Sequence, residues 1–183
     1  DVLSRGAFIM QQDLINFENE LAKYLGVKHV IGVADGTMAL LTSLIAAGIK
    51  KGDEVIVSSH TFVASAAAIH HAGATPVLAD CKSDHLIDPE SIIKLITPKT
   101  KAIMPVQLNG RVADMDAINK IAKEHKLIII EDSCQALGAK YKNQFAGTFG
   151  LTGTFSFFPA KILGCFGDGG AVVTNNDDIA KKI

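Results

Sequence analysis

Five short stretches of the chain hold the residue types that could do chemistry. Lys161 lies in Phe155-Ser156-Phe157-Phe158-Pro159-Ala160-Lys161-Ile162-Leu163-Gly164, and no other Lys or Arg occurs between Lys142 and Lys181. An amine embedded among aromatic and aliphatic side chains suits nucleophilic or Schiff-base work, whereas most lysines are solvated surface groups. Asp132 follows the apolar run Leu127–Ile130 and Glu131. A carboxylate at such a strand end stays charged only opposite a cation; the other explanation is a cap for a helix over Ser133 to Leu137. Gln135, three residues on, falls on the same side if the segment turns helically. Gly36 and Thr37 open a helix directly after a strand, where bare N–H groups and the helix dipole favour a phosphate. The same pair also makes an ordinary strand-to-helix turn. Ser156 adds a hydroxyl for a phosphate and Phe62 an aromatic ring. A lysine for an aldehyde, an acid for a pyridinium nitrogen, donors for a phosphate and a ring for stacking form the set that pyridoxal phosphate needs. Neither GxxxxGK[ST] nor a GxGxxG after a strand occurs, which argues against P-loop and NAD-binding readings.

Ligands of an open parallel sheet gather beyond the carboxyl ends of its strands, so strands must precede these stretches. The apolar spacing of Leu14, Phe17, Leu21 and Leu25 predicts a helix over residues 12–25 that stops at Gly26. A strand over His29–Ala34 runs into Asp35-Gly36-Thr37 and a helix over Met38–Ala47. Glu54–Val57 reads as a strand, Phe62–His71 as an Ala-rich helix and Thr75–Ala79 as a strand. Asp88-Pro89-Glu90 starts a helix, with a capping Asp and a first-turn Pro. Ala102–Val106 is the next strand, and Asp114 caps a helix from Met115 to about His125. Leu127–Glu131, Phe155–Phe157 and Ala171–Thr174 complete the strands, the last two around a Gly-rich turn. Strands separated by helices predict a three-layer α/β/α sandwich with a mostly parallel central sheet. The polar residues that follow them, including Ser58–Phe62 and Gln107–Arg111, then converge on one rim. Residues 177–183 read as a helix barely begun, so the expectation is a fragment or the ordered part of a longer protein.

Composition narrows the class. The 18 basic and 19 acidic residues leave a net charge of −1, without the basic excess that nucleic-acid binding needs. No apolar run approaches the roughly 20 residues that cross a bilayer, so no membrane insertion is expected. Asp1–Met10 lacks a basic stretch followed by an apolar core and a cleavage site, so no secretory signal is expected there. Cys81, Cys134 and Cys165 are odd in number and widely spaced, with neither a CxxC pair nor a disulfide framework. They predict reduced thiols in a cytoplasmic protein and no metal site.

Together these motifs make the sequence similar to the pyridoxal-phosphate sugar aminotransferases of the DegT/DnrJ/EryC/StrS group, of fold-type I. The resemblance runs almost end to end. It is carried by Phe17-Glu18-x-x-Leu21-Ala22, Tyr24-Leu25-Gly26-Val27, Gly36-Thr37-x-Ala39-Leu40, Gly52-Asp53-Glu54-Val55-Ile56-Val57 and Thr61-Phe62-x-Ala64. Further along come Ala113-Asp114-Met115-Asp116-Ala117-Ile118, Glu131-Asp132-x-x-Gln135-Ala136-x-Gly138-Ala139, Phe155-Ser156-Phe157-x-Pro159-x-Lys161 and Gly167-Asp168-Gly169-Gly170.

The resemblance implies that Lys161 is the Schiff-base lysine and proton shuttle. Asp132 would pair with the pyridine nitrogen and Gln135 would face the ring hydroxyl. Gly36, Thr37, Met38 and Ser156 would hold the phosphate, mostly through backbone N–H at 37 and 38, and Phe62 would stack on the ring. Members that dehydrate sugars have His where Lys161 stands, so the resemblance implies transamination, from glutamate to a nucleotide-linked keto-sugar. The run Leu163-Gly164-Cys165-Phe166-Gly167-Asp168-Gly169-Gly170 looks more like members that aminate a 3-keto sugar. Two positions depart from the family pattern: Asn109 replaces the usual aromatic before the loop Gly, and Gln107 stands where His is common. Residues 1–183 would be the N-terminal part of the protein, including most of the cofactor-binding large domain, with the small C-terminal domain beyond them. A homodimer is implied as well, because the rim offers the phosphate no Lys or Arg apart from Arg111. The alternatives are another fold-type I enzyme with a different amino or keto substrate, or a non-catalytic protein sharing the fold.

Overall fold

Side-chain caps start four helices, and a glycine stops another, in the computed structural model, which describes residues 2–6 and 8–183. In chain order the elements are α1 (Val2–Arg5), α2 (Gln12–Leu25), β1 (His29–Val33), α3 (Gly36–Ala46), β2 (Glu54–Ser58), α4 (Ala64–His71), β3 (Thr75–Ala79) and α5 (Pro89–Leu95). They continue with β4 (Thr100–Met104), α6 (Met115–His125), β5 (Ile128–Asp132), β6 (Lys140–Tyr141), β7 (Gln144–Phe145), β8 (Thr152–Ser156), β9 (Gly170–Thr174) and α7 (Asp177–Ala180). Gly26 ends α2 in the left-handed region at φ 71°, donating its N–H to Ala22. The Asp88 and Asp114 carboxylates accept from Glu90 N–H and Ala117 N–H and start α5 and α6 as their sequences predict. No helix among the described residues is long and apolar enough to cross a membrane.

The main sheet has seven strands in the order β1-β9-β8-β5-β4-β2-β3. Its β8-β5-β4-β2-β3 portion is parallel. β9 runs antiparallel to both β8 and β1, so the α/β reading holds with one reversed strand. Ala171 and Val173 of β9 join Leu21 and Leu25 of α2, Val30 of β1, and Phe155 and Phe157 in one apolar cluster. Val172, buried between them, turns by strand alternation to the other face, where α3 lies across β8 and β9. A larger cluster fills the space around β2, β4 and β5 with Leu40, Leu44, Ile69, Ile92, Met115 and Ile118 of the helices.

Three local outcomes differ from the sequence expectation. Residues 133–138 form turns rather than a helix, because Asp132 closes a turn onto Cys134 N–H instead of capping one. The helix expected from Phe62 starts at Ala64, which leaves Phe62 outside it on the rim. β6 and β7 form a hairpin the apolar pattern did not reveal, joined by Lys142 (φ 47°) and Asn143 (φ 68°) in left-handed conformations.

Candidate active site

β1, β2, β5 and β8 all end on one side, and their carboxyl ends surround a cavity of about 560 Å³. The β1–α3 turn makes one wall. Asp35 is extended (φ −166°) and its carboxylate accepts from Met38 N–H at 2.8 Å, capping α3. Gly36 is required here by proximity: a Cβ on it would lie 2.8 Å from the Ser156 Cβ and 2.9 Å from the Cys134 Sγ. With that Cβ absent, the first turn of α3, Thr37 included, opens directly onto the cavity. Met38, the other residue expected at the phosphate, does not line it, and its N–H donates to Asp35. Ser156, at the end of β8, packs directly against Gly36, lines the cavity and accepts weakly from Phe158 N–H at 3.4 Å.

Asp132 forms the floor and is 6% exposed. One carboxylate oxygen accepts from Cys134 N–H at 3.2 Å, the other from the Ser65 hydroxyl at 2.7 Å. The Cys134 thiol beside it is pushed well above the usual thiol range by burial, reinforced by the Asp132 charge. It is a neutral wall of the cavity rather than a nucleophile. Gln135 lines the cavity as expected, but its side-chain oxygen accepts from Asn109 N–H at 3.2 Å, and its carbonyl accepts from Gly110 N–H at 3.0 Å. Its amide nitrogen is the end left to meet a ligand.

Phe62 and Lys161 make the mouth. Phe62 is 66% exposed with its ring against the cavity. Lys161 is half-buried, lines the same space and lies close enough to Cys134 for its charge to act on the thiol. The apolar embedding expected around Lys161 is absent: Phe158, Ile162, Leu163 and Phe166 are all exposed, because the loop between β8 and β9 turns back on itself rather than into the core.

Two departures from the family pattern are accounted for. Gln107 is fully buried and donates to Glu131 at 2.9 Å while accepting from Ala113 N–H at 2.8 Å, so it braces the loop and touches no ligand space. Asn109 adopts the left-handed φ of 53°. Asn tolerates that conformation better than most residues. Neither Ser65 nor the role of Glu131 carries a signal in the sequence that marks it as part of the site. Glu131 is fully buried and accepts from Gln107, Gly147, Phe149 and Gly150. Burial raises its carboxyl above the usual range, against the pull of those four donors. A larger apolar recess of about 840 Å³, between the segment around Phe8–Leu14 and the 163–170 loop, has no Lys, Arg or His in its lining. Lys161 and Asp132 line the smaller cavity instead.

The chain resembles known proteins along its whole length. The profile of the DegT/DnrJ/EryC1/StrS aminotransferase family matches residues 1–183. A dTDP-3-amino-3,4,6-trideoxy-alpha-D-glucose transaminase of Streptomyces venezuelae is 46% identical over 183 residues, 100% of this chain and 48% of that protein. A UDP-2-acetamido-2-deoxy-3-oxo-D-glucuronate aminotransferase of Pseudomonas aeruginosa is 43% identical over 183 residues, 100% of this chain and 51% of that protein. The chain thus spans about half the length of the curated relatives it matches. Among solved structures, S. venezuelae DesV in complex with a ketimine intermediate superposes with a TM-score of 0.95 at 46% identity, over 99% of this chain and 49% of that one. NtdA from Bacillus subtilis with bound cofactor PMP gives 0.92 at 39% identity, over 99% of this chain and 41% of that one.

Proposed function

The chain belongs to the DegT/DnrJ/EryC1/StrS aminotransferase family, and from that premise we propose that it carries the cofactor site of a pyridoxal-phosphate-dependent transaminase. The reaction moves an amino group from glutamate to a keto-sugar on a nucleotide carrier, in amino-sugar or surface-polysaccharide synthesis. The observation that carries this reading is the convergence of Lys161, Asp132, Phe62 and the first turn of α3 on one cavity of about 560 Å³. That volume suits a small cofactor. The residues fit the group: Gly36 lets Ser156 pack close to the first turn of α3, so that Thr37 and Ser156 line the cavity together as phosphate donors, and a buried acid lies on the floor.

Bound there, pyridoxal phosphate supplies an amino carrier and an electron sink. Thr37 N–H and the Ser156 hydroxyl hold its phosphate, with the α3 dipole behind them. The Asp132 carboxylate holds a proton on the ring nitrogen. Gln135 meets the ring hydroxyl and Phe62 covers one face of the ring, excluding water. Lys161, which lines the same cavity, would hold the group through its Nζ amine and would move a proton at that atom.

A 3-keto substrate is favoured by the names of the Streptomyces and Pseudomonas relatives, which carry 3-amino and 3-oxo sugars. Residues 1–183 make up most of the large domain in this reading, and a small C-terminal domain follows. The protein works as a cytoplasmic homodimer, and the partner supplies the positive charge that Thr37 and Ser156 lack for a phosphate. Borohydride reduction of the full-length, cofactor-loaded protein, followed by peptide mapping, places a pyridoxyl group on Lys161; labelling confined to Lys50 or Lys51 refutes the assignment. Asp132→Asn keeps the cofactor and slows turnover by roughly two to four powers of ten, the cost of breaking a buried charge pair. Glutamate-dependent turnover of nucleotide 3-keto against 4-keto sugars decides the substrate. Sedimentation at micromolar concentration tests the dimer, which a fully active monomer would exclude.

A further inference from the structure

Asp132 does not hold its orientation alone. Ser65, near the start of α4, is fully buried, and its hydroxyl oxygen lies 2.7 Å from the second carboxylate oxygen of Asp132 and 2.7 Å from the Thr61 hydroxyl. Proton counting fixes the direction. A carboxylate only accepts, so the single Ser65 proton goes to Asp132. Thr61 must then donate to Ser65. The Phe62 carbonyl, 3.3 Å from the Ser65 hydroxyl, is a poorer acceptor and takes at most a share of the same proton. The chain therefore runs from Thr61 through Ser65 to Asp132, and its first members flank Phe62 in sequence.

We propose that Ser65, backed by Thr61, is a positioning residue of the transaminase: its hydroxyl orients the Asp132 carboxylate toward the cofactor ring and ties it to the loop that carries Phe62. This rests on the reading of Asp132 as partner of the ring nitrogen. The floor acid comes from β5 and the covering ring from the β2–α4 loop, so without a bridge the two could shift independently. Ser65 is that bridge, and a short hydrogen bond to a charged acceptor is the stronger kind. It touches neither substrate nor cofactor and acts through Asp132.

The test uses the full-length, cofactor-loaded enzyme. Ser65→Ala lowers kcat by roughly 10- to 100-fold, the usual size of a buried hydrogen bond to a charge. KM for glutamate changes by less than about 3-fold, since uniform binding is untouched. The visible absorption band of the bound cofactor shifts, and cofactor dissociation, followed by fluorescence, quickens. Ser65→Thr retains the hydroxyl and restores the spectrum. Thr61→Val gives a smaller shift in the same direction, and covers the case in which a change at the buried position 65 prevents folding. The deciding measurement is the double variant: in an Asp132→Asn background, Ser65→Ala costs little more, because both act through one carboxylate. An undiminished cost there, or an unaltered spectrum in Ser65→Ala, overturns the proposal. Asp132→Asn with full activity instead overturns the reading of Asp132, a separate outcome.

Discussion

The floor and the mouth of the cavity hold their key residues in opposite ways. On the floor, β5 presents Asp132 to the cavity while its neighbour Glu131 turns into the domain beneath, each with both carboxylate oxygens engaged. Packing there is close enough that a Cβ on Gly153 would lie 2.0 Å from the Gly147 carbonyl. At the mouth, Lys161 rides a loop whose apolar side chains cover little of this chain; Phe166 is fully exposed and Ile162 is 70% exposed. The loop is held mainly by its own backbone bonds, such as Cys165 N–H to the Phe157 carbonyl and Phe157 N–H to the Gly169 carbonyl. The acid is thus placed by the same interactions that fold the domain, whereas the lysine is presented on a surface loop. Activity and stability therefore separate at the mouth and coincide on the floor.

That contrast breaks most visibly at Lys161. Lys161→Ala is expected to lower turnover of the full-length enzyme by at least about 10²–10⁴-fold, the loss of a proton-transfer group. Its urea midpoint stays within the equivalent of about 0.5 kcal/mol; a large stability loss would mean that the loop is part of the core. Glu131→Ala does the reverse. It strands Gln107 and three backbone N–H donors, and denaturation should register a loss of about 3 kcal/mol or more. Glu131 also carries a pH signature. Its folded-state pKa is raised above the unfolded value, so the folded state binds more protons between the two. The contribution of Glu131 is then fully present in acid and declines as pH rises from the ordinary carboxylate range toward the raised value. The stability advantage of wild type over Glu131→Gln should narrow across that window, and a gap that widens with pH would reverse the assignment.

Between these extremes lies Gly36→Ala. The new methyl must displace Ser156 or Cys134, costing about 1–3 kcal/mol and weakening cofactor retention together. Calorimetry and fluorescence on one sample show whether the two losses coincide. Phe62→Ala is the mildest. Exposed at 66%, the ring supports no core, so stability is unchanged while cofactor affinity falls by roughly 2- to 10-fold, the value of one stacking contact.

Much of the framework was legible because its signals are local. Gly26, Asp88 and Asp114 stop or cap helices through atoms a few residues away, and apolar runs such as Leu127–Ile130 mark buried strands wherever they pair. The converging stretches at Gly36–Thr37, Asp132, Ser156 and Lys161 were legible because each follows a strand. What escaped depends on distant partners. Ser65 reads as one more small residue in an Ala-rich helix until β5 brings Asp132 to it from 67 residues away. Gln107 and Glu131 look like rim residues, yet they face each other inside the domain. The cap that occupies Met38 N–H and the exposure of the Lys161 loop depend on competition and packing that spacing does not encode.

The pairing of β1 with β9 also sets an order of events during synthesis. His29 lies opposite Thr174 and Val33 opposite Gly170, so the earliest strand of the chain finds its neighbour only after β2, β3, β4, β5 and β8 have emerged. Closing so long a loop is slow, because its entropy is lost before any contact is gained. Until then the Asp35–Gly36 turn has no Gly170 pressed against it. A ribosome-bound chain that ends before Gly170 therefore carries the strands β2, β4 and β5 but lacks the β9 backbone that packs against the Asp35–Gly36 turn, so that wall of the cavity is completed only when β9 emerges.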